Sequence, residues 1–136
     1  MNKNSIKKHI IGLIFVLMIQ YLLGMITNLF VQFPEKANEG QLWQFAWKQI
    51  PLVLHILVGL SLLIGSLTLT IRSFRSRNKT LKIGSAIGLI SIFISGYAGS
   101  KFIPTQNADY SFLMSITFIL ALMSYVWILY KLNSLD

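Results

Sequence analysis

The sequence predicts an all-α membrane protein in which four transmembrane helices form an antiparallel bundle. Three observations support this: four apolar stretches of about 20 residues each, a charged fraction of only 12%, and basic residues at the ends of the apolar stretches. An apolar stretch of roughly 20 residues crosses the hydrocarbon core of a bilayer as a helix. Soluble domains carry about 25% charged residues, so this chain has too few to cover a water-exposed surface.

The four predicted spans form a single domain that covers residues 1–136. They comprise residues 10–31, 50–71, 83–103 and 111–130. The only charged side chain within them is that of Lys101, near the end of the third span. Because backbone groups in lipid must pair within their own segment, each span is predicted to be a helix. The first apolar run is longer than that of a signal peptide and no A-x-A cleavage site follows it, which favours its retention.

Basic residues predict the orientation of the spans. Nine lie on the side of the termini: Lys3, Lys7, Lys8, Arg72, Arg75, Arg77, Lys79, Lys82 and Lys131. The other side has three: Lys36, Lys48 and Lys101. Loops rich in Lys and Arg stay in the cytoplasm, so both termini are predicted to be cytoplasmic.

The long outer loop, residues 32–49, contains an amphipathic segment. One helical side carries Leu42, Phe45, Ala46 and Gln49, with Trp43 and Trp47 beside them. This pattern predicts a short helix that lies in the membrane interface. A plain connecting loop anchored by the two tryptophans is the alternative.

A stripe of small residues runs along the third span and predicts close helix packing. Its members recur every three or four residues: Gly84, Gly88, Ser91, Ser95 and Gly99. The partner helix is expected within the same chain, because a four-helix bundle needs such faces. A contact between two copies in a homo-oligomer, or with a larger membrane complex, is the alternative.

Polar side chains from all four spans are expected at similar depths in the outer leaflet. At 1.5 Å per residue, Gln20 lies near the bilayer centre and His55 about 8 Å toward the outer side. Gly59, one turn from His55, leaves room beside the ring. The sequence therefore predicts a small polar chamber that binds a ligand through six residues: Gln20, Thr27, Asn28, His55, Tyr97 and Ser115. Alternatively, hydrogen bonds among these groups serve only to hold the helices together.

Several function classes are disfavoured. The chain has no cysteine, which excludes disulfides, thiolate catalysis and cysteine-ligated metals. The spans contain no acid, no P-loop or HExxH motif is present, and no catalytic residues are predicted. The net charge of +8 is concentrated at the span ends, which argues for contact with the lipid bilayer and against nucleic acid. His9, at the cytoplasmic boundary, is too far along the helix to share a metal or haem with His55.

A small-molecule-binding protein or an accessory subunit is therefore the favoured interpretation. His55 could donate a hydrogen bond to a quinone-like ligand, or ligate a b-type haem, in which case it is the only metal ligand expected. The alternatives are a small transporter or channel subunit that acts as an oligomer, and a structural protein in which His55 joins helices.

Two resemblances bear on fold and location. The chain resembles a group of small bacterial four-helix membrane proteins. The resemblance lies in Gly24, Asn28 and Pro34, then Pro51, His55 and Gly59, and residues 111–125 of the last span. This resemblance implies a multi-pass protein of the bacterial plasma membrane. It does not point to any particular activity. The order of Gln20, Gly24 and His55 is similar to that in the four-helix halves of haem A synthase, where such a histidine ligates haem. The chain departs from that family in having no second histidine in span four.

Overall fold

The computed structural model describes residues 3–34 and 37–134, and these ranges contain five helices. The helices are α1 (Lys3–Phe30), α2 (Glu39–Lys48), α3 (Ile50–Phe74), α4 (Lys79–Thr105) and α5 (Ala108–Asn133). All except α2 are long and apolar enough to cross a membrane, which confirms the predicted all-helical class with four candidate spans. Glu35 and Lys36, between α1 and α2, lie outside the described residues.

Asparagine side chains begin three of the helices. The Asn38 side chain accepts a hydrogen bond from the Gln41 backbone N–H, and the Gln41 side chain accepts one from Asn38, each at 3.0 Å. At the start of α4 the Asn78 side chain accepts a hydrogen bond from the Leu81 N–H, and at the start of α5 the Asn107 side chain accepts one from the Asp109 N–H. Each cap satisfies a backbone N–H that the helix itself leaves without a partner. The Asn38 cap accounts for the start of α2 at Glu39.

The four long helices form a ring in which each packs mainly on two neighbours. α1 packs on α3, α3 on α4, α4 on α5 and α5 on α1. The short helix α2 covers one end of the ring, where Leu42 and Ala46 pack against Leu52 of α3 and Ile103 of α4. The predicted helix in the outer loop therefore exists, and its apolar side rests on the bundle.

The two halves of the ring are packed differently. The buried side chains of α1 all lie in its first half, at Ile6, Ile10, Leu13 and Leu17. They join the main apolar core with residues of the other three long helices: Leu62, Leu69, Leu81, Ile92, Ala121, Tyr125, Ile128 and Leu132. Beyond Leu17, α1 buries no further side chain, and the bundle opens into a cavity.

The small-residue stripe of α4 lies partly against α5 of the same chain. Gly84 faces Ile128, and Gly88 faces the ring of Tyr125. Tyr125 is fully buried and donates a hydrogen bond to the Ser66 hydroxyl at 2.8 Å. The other end of the stripe, Ser95 and Gly99, lines the cavity, and Gly99 also faces Met114 of α5.

A buried polar cluster also joins α3 to α4 in the packed half. The Thr70 hydroxyl donates to the Ser85 carbonyl at 3.0 Å, and the Ser73 and Ser85 hydroxyls hydrogen-bond at 2.6 Å. Between apolar helices, such bonds contribute roughly 0.6–2 kcal/mol each. The packed half is therefore held by close approach of small residues and by interhelical hydrogen bonds.

Candidate ligand chamber

The cavity in the open half of the bundle has a volume of about 1490 Å³ and is lined by residues from all five helices. Its wall includes every side chain that the sequence assigns to a polar chamber: Gln20, Thr27, Asn28, His55, Tyr97 and Ser115. The helix α2 contributes Leu42, Trp43 and Trp47 to the same wall. The five helices thus border one shared, partly open space around the predicted polar groups.

Gln20 and His55 form the polar centre of this wall. The Gln20 amide nitrogen lies 3.2 Å from Nε2 of His55 and donates a hydrogen bond to it. Because Nε2 accepts, the ring proton of a neutral imidazole must reside on Nδ1. The contact joins α1 to α3 and fixes which edge of the ring is free to donate.

A pair of glycines makes room for this contact. A Cβ at Gly24 of α1 would lie 3.1 Å from Cε1 of His55, and a Cβ at Gly59 of α3 would lie 3.2 Å from the Gln20 amide nitrogen. Each polar side chain therefore rests on the glycine of the opposite helix. Gly24 follows Gln20 by four residues, and Gly59 follows His55 by four, so each pair shares a helix face.

Three buried polar atoms in the described residues have no hydrogen-bond partner: Oε1 of Gln20, Nδ1 of His55 and Oγ1 of Thr27. All three belong to side chains of the cavity wall. Leaving a buried donor or acceptor unpaired costs about 1–3 kcal/mol. Among the described residues, the presence of these three unpaired groups in the wall of one cavity is the observation that points to a ligand site.

The other predicted residues line the cavity without joining the central pair. Ser115 donates its hydroxyl hydrogen bond to the Ser111 carbonyl of its own helix at 3.1 Å. The Tyr97 ring is 54% exposed, and the Lys101 ammonium lies 5.8 Å from its centroid. Asn28 is exposed toward one end of α1. These residues contribute polarity to the wall at a distance from the Gln20–His55 contact.

Aromatic side chains form much of the remaining wall, and none of those described next was predicted to lie there. Tyr21 stacks on Phe118 with centroids 5.5 Å apart, and Phe33 meets Phe102 edge-on at 6.2 Å. Most of the cavity surface is apolar. The spacing of apolar residues in α2 could have indicated that Trp43 lines the cavity. Nothing in the sequence pattern indicated the same for Phe33.

The second histidine lies in the packed half of the bundle. His9 donates a hydrogen bond from Nε2 to the Gly65 carbonyl at 3.0 Å, about 17 Å along α1 from Gln20. His9 therefore links α1 to α3, as His55 does, but lines no part of the cavity. Among residues 3–34 and 37–134, no three metal-binding side chains gather into a site for a metal ion.

Comparisons of the chain with protein-family models, with curated proteins and with solved structures found no match to any of them.

Proposed function

We propose that this membrane protein binds a lipid-soluble carbonyl compound, of the quinone class, in the chamber between its helices. The observation that carries the proposal is the group of three buried, unpaired polar atoms in the wall of a mainly apolar cavity. Binding sites for small molecules typically combine an apolar wall with a few convergent polar groups. The chamber has both features.

The unpaired atoms match the two redox forms of a quinone. Nδ1 of His55, which carries the ring proton, can donate to a quinone carbonyl, and the Thr27 hydroxyl can supply a further donor. Oε1 of Gln20 can only accept, and so suits the hydroxyl of the reduced form. The site would thus hold either form without a charged side chain.

The size of the cavity suits a molecule with a long apolar tail. Typical small-molecule pockets measure about 300–1,000 Å³, and this cavity, at about 1490 Å³, is larger. Its aromatic and aliphatic wall extends well beyond the polar centre. A quinone ring at His55 with its tail along the helices would use both parts.

Haem fits the observed side chains less well. Haem iron takes the lone pair of a histidine nitrogen, and here the Nε2 lone pair of His55 is engaged by Gln20. The only other histidine, His9, is held in the packed half. A haem absorption band in the purified protein that is lost in His55→Ala would favour haem over the quinone.

We also propose that the chamber lies in the outer leaflet, with both termini in the cytoplasm, on the basis of the nine basic residues on the side of the termini. Single cysteines in place of Asn38 and Arg75 are expected to react with an impermeant reagent on opposite sides of intact cells. Only the cysteine at position 38 should be labelled before the membrane is opened. Labelling of both residues from the same side would contradict the orientation.

Quinone binding is tested by thermal unfolding of the purified chain with and without decylubiquinone. A ligand that binds only the folded state stabilises it by about 2.7 kcal/mol at 100 times its Kd, so a clear rise in Tm is expected. His55→Phe should lose this rise. His9→Phe, which removes the other interhelical histidine, should lower the Tm of the free protein yet retain the rise. Absence of the rise in the unmodified chain, or its equal loss in both variants, would contradict the proposal.

A further inference from the structure

A second, smaller cavity of about 440 Å³ lies at the opposite end of the bundle from α2. It is formed where the start of α1, the turn between α3 and α4, and the last turns of α5 meet. Eight residues line it: Lys3, Ile6, Arg75, Ser76, Arg77, Asn78, Leu81 and Leu132.

The rim of this cavity is positively charged. Lys3, Arg75 and Arg77 contribute three cationic side chains, and none of the eight lining residues is acidic. Arginine guanidinium groups bind phosphate oxygens through two parallel hydrogen bonds. Helix α4 begins at this point, and the positive end of its dipole adds to the attraction for an anion.

The floor of the cavity is apolar. Ile6, Leu81 and Leu132 are only 6%, 2% and 6% exposed, and they belong to the main core. The turn above them is fixed by two hydrogen bonds: the Asn78 backbone N–H donates to the Ser76 hydroxyl, and the Leu81 N–H donates to the Asn78 side chain, each at 3.1 Å. A charged rim over an apolar floor suits an amphiphile better than a free inorganic anion.

We infer that this cavity binds the phosphate headgroup of an anionic phospholipid. The cavity lies at the ends of helices that are long and apolar enough to span a membrane, where lipid headgroups are at high local concentration. Basic pockets between transmembrane helices hold such headgroups. The site is separate from the chamber at His55, so the inference does not depend on the proposed quinone.

The test uses the full chain in neutral detergent, titrated with phosphatidylglycerol or phosphatidylcholine, with bound lipid counted by native mass spectrometry. The paired substitution Arg75→Gln and Arg77→Gln removes two charges from the rim. The matched control, Arg72→Gln with Lys79→Gln, removes two exposed charges that do not line the cavity. The rim variant is expected to bind phosphatidylglycerol at least about tenfold more weakly, whereas the control should change less than about twofold.

Preferential retention of phosphatidylglycerol over phosphatidylcholine by the unmodified chain supports the inference. Equal weakening in the two paired variants would overturn it, because a diffuse positive surface would then explain the binding. Displacement of the lipid by inorganic phosphate at equal concentration would also overturn it, in favour of a soluble anion. Arg77→Gln alone, a milder change, should reduce retention in the same direction if the paired variant fails to fold.

Discussion

Gly88→Ala is expected to destabilise the folded bundle by about 1–3 kcal/mol, as overpacking of a close-packed interior does. A Cβ at Gly88 would lie 2.5 Å from Cζ of Tyr125, far inside van der Waals contact. The Tyr125 ring is fully buried and its hydroxyl is bound to Ser66, so it cannot retreat without losing that hydrogen bond. The cost of the new methyl group is therefore expected to include both the clash and the weakened bond.

Gly96→Ala is the matched control, since it makes the same change two turns further along α4. A Cβ at Gly96 has no neighbour within 4 Å. Its expected effect is neutral or slightly stabilising, because alanine favours a helix over glycine by up to about 1 kcal/mol. Both variants are compared by thermal or detergent-induced unfolding. Equal stability of the two would show that α4 and α5 do not approach as closely as described.

The packing of α4 shows what a sequence pattern can and cannot predict. Small residues at spacings of three and four indicated a close helix contact, and Gly84 and Gly88 do lie against α5. The pattern did not indicate that one end of the stripe, Ser95 and Gly99, also lines a cavity. A periodic pattern identifies one face of a helix. What lies opposite that face depends on the neighbouring helices and their side chains.

The sequence assigns Gln20 and His55 to one chamber but does not predict that they contact each other. Counting residues within the predicted spans separates the two side chains by about 8 Å in depth. The helix α1 begins at Lys3, before the predicted span, and α3 extends to Phe74, beyond it. From the midpoints of these helices, Gln20 and His55 lie about 5 Å and about 10.5 Å toward the same end, a separation of about 5 Å that two long side chains can close. Residue counts also give the depth of a side chain but not the rotation of its helix about the helix axis. Only the structure shows that Gln20 and His55 face each other.

Gly24→Ala is expected to weaken quinone binding by about tenfold or more, corresponding to loss of one hydrogen bond in an apolar site. Its new methyl group would lie 3.1 Å from Cε1 and 3.6 Å from Nδ1 of His55. That position obstructs the ring edge proposed to donate to the quinone carbonyl. The Gln20 contact is on the other ring nitrogen and is expected to survive.

The readout is nitrogen-15 NMR of a chain labelled at its two histidines. In the Gly24→Ala variant, the Nδ1 signal of His55 should respond to decylubiquinone only at much higher concentrations. Gly12→Ala is the control on the same helix, since a Cβ there has no neighbour within 4 Å. A normal quinone response in Gly24→Ala would place the ligand elsewhere in the cavity.

The same titration of the unmodified chain tests the central claim most directly, and His9 provides an internal reference. We expect a His55 ring that is protonated on Nδ1 and unprotonated on Nε2. Its Nδ1 signal should shift on addition of decylubiquinone, whereas the signals of His9 should stay fixed. A ring protonated on Nε2, or an Nδ1 signal that does not move at saturating quinone, would contradict it.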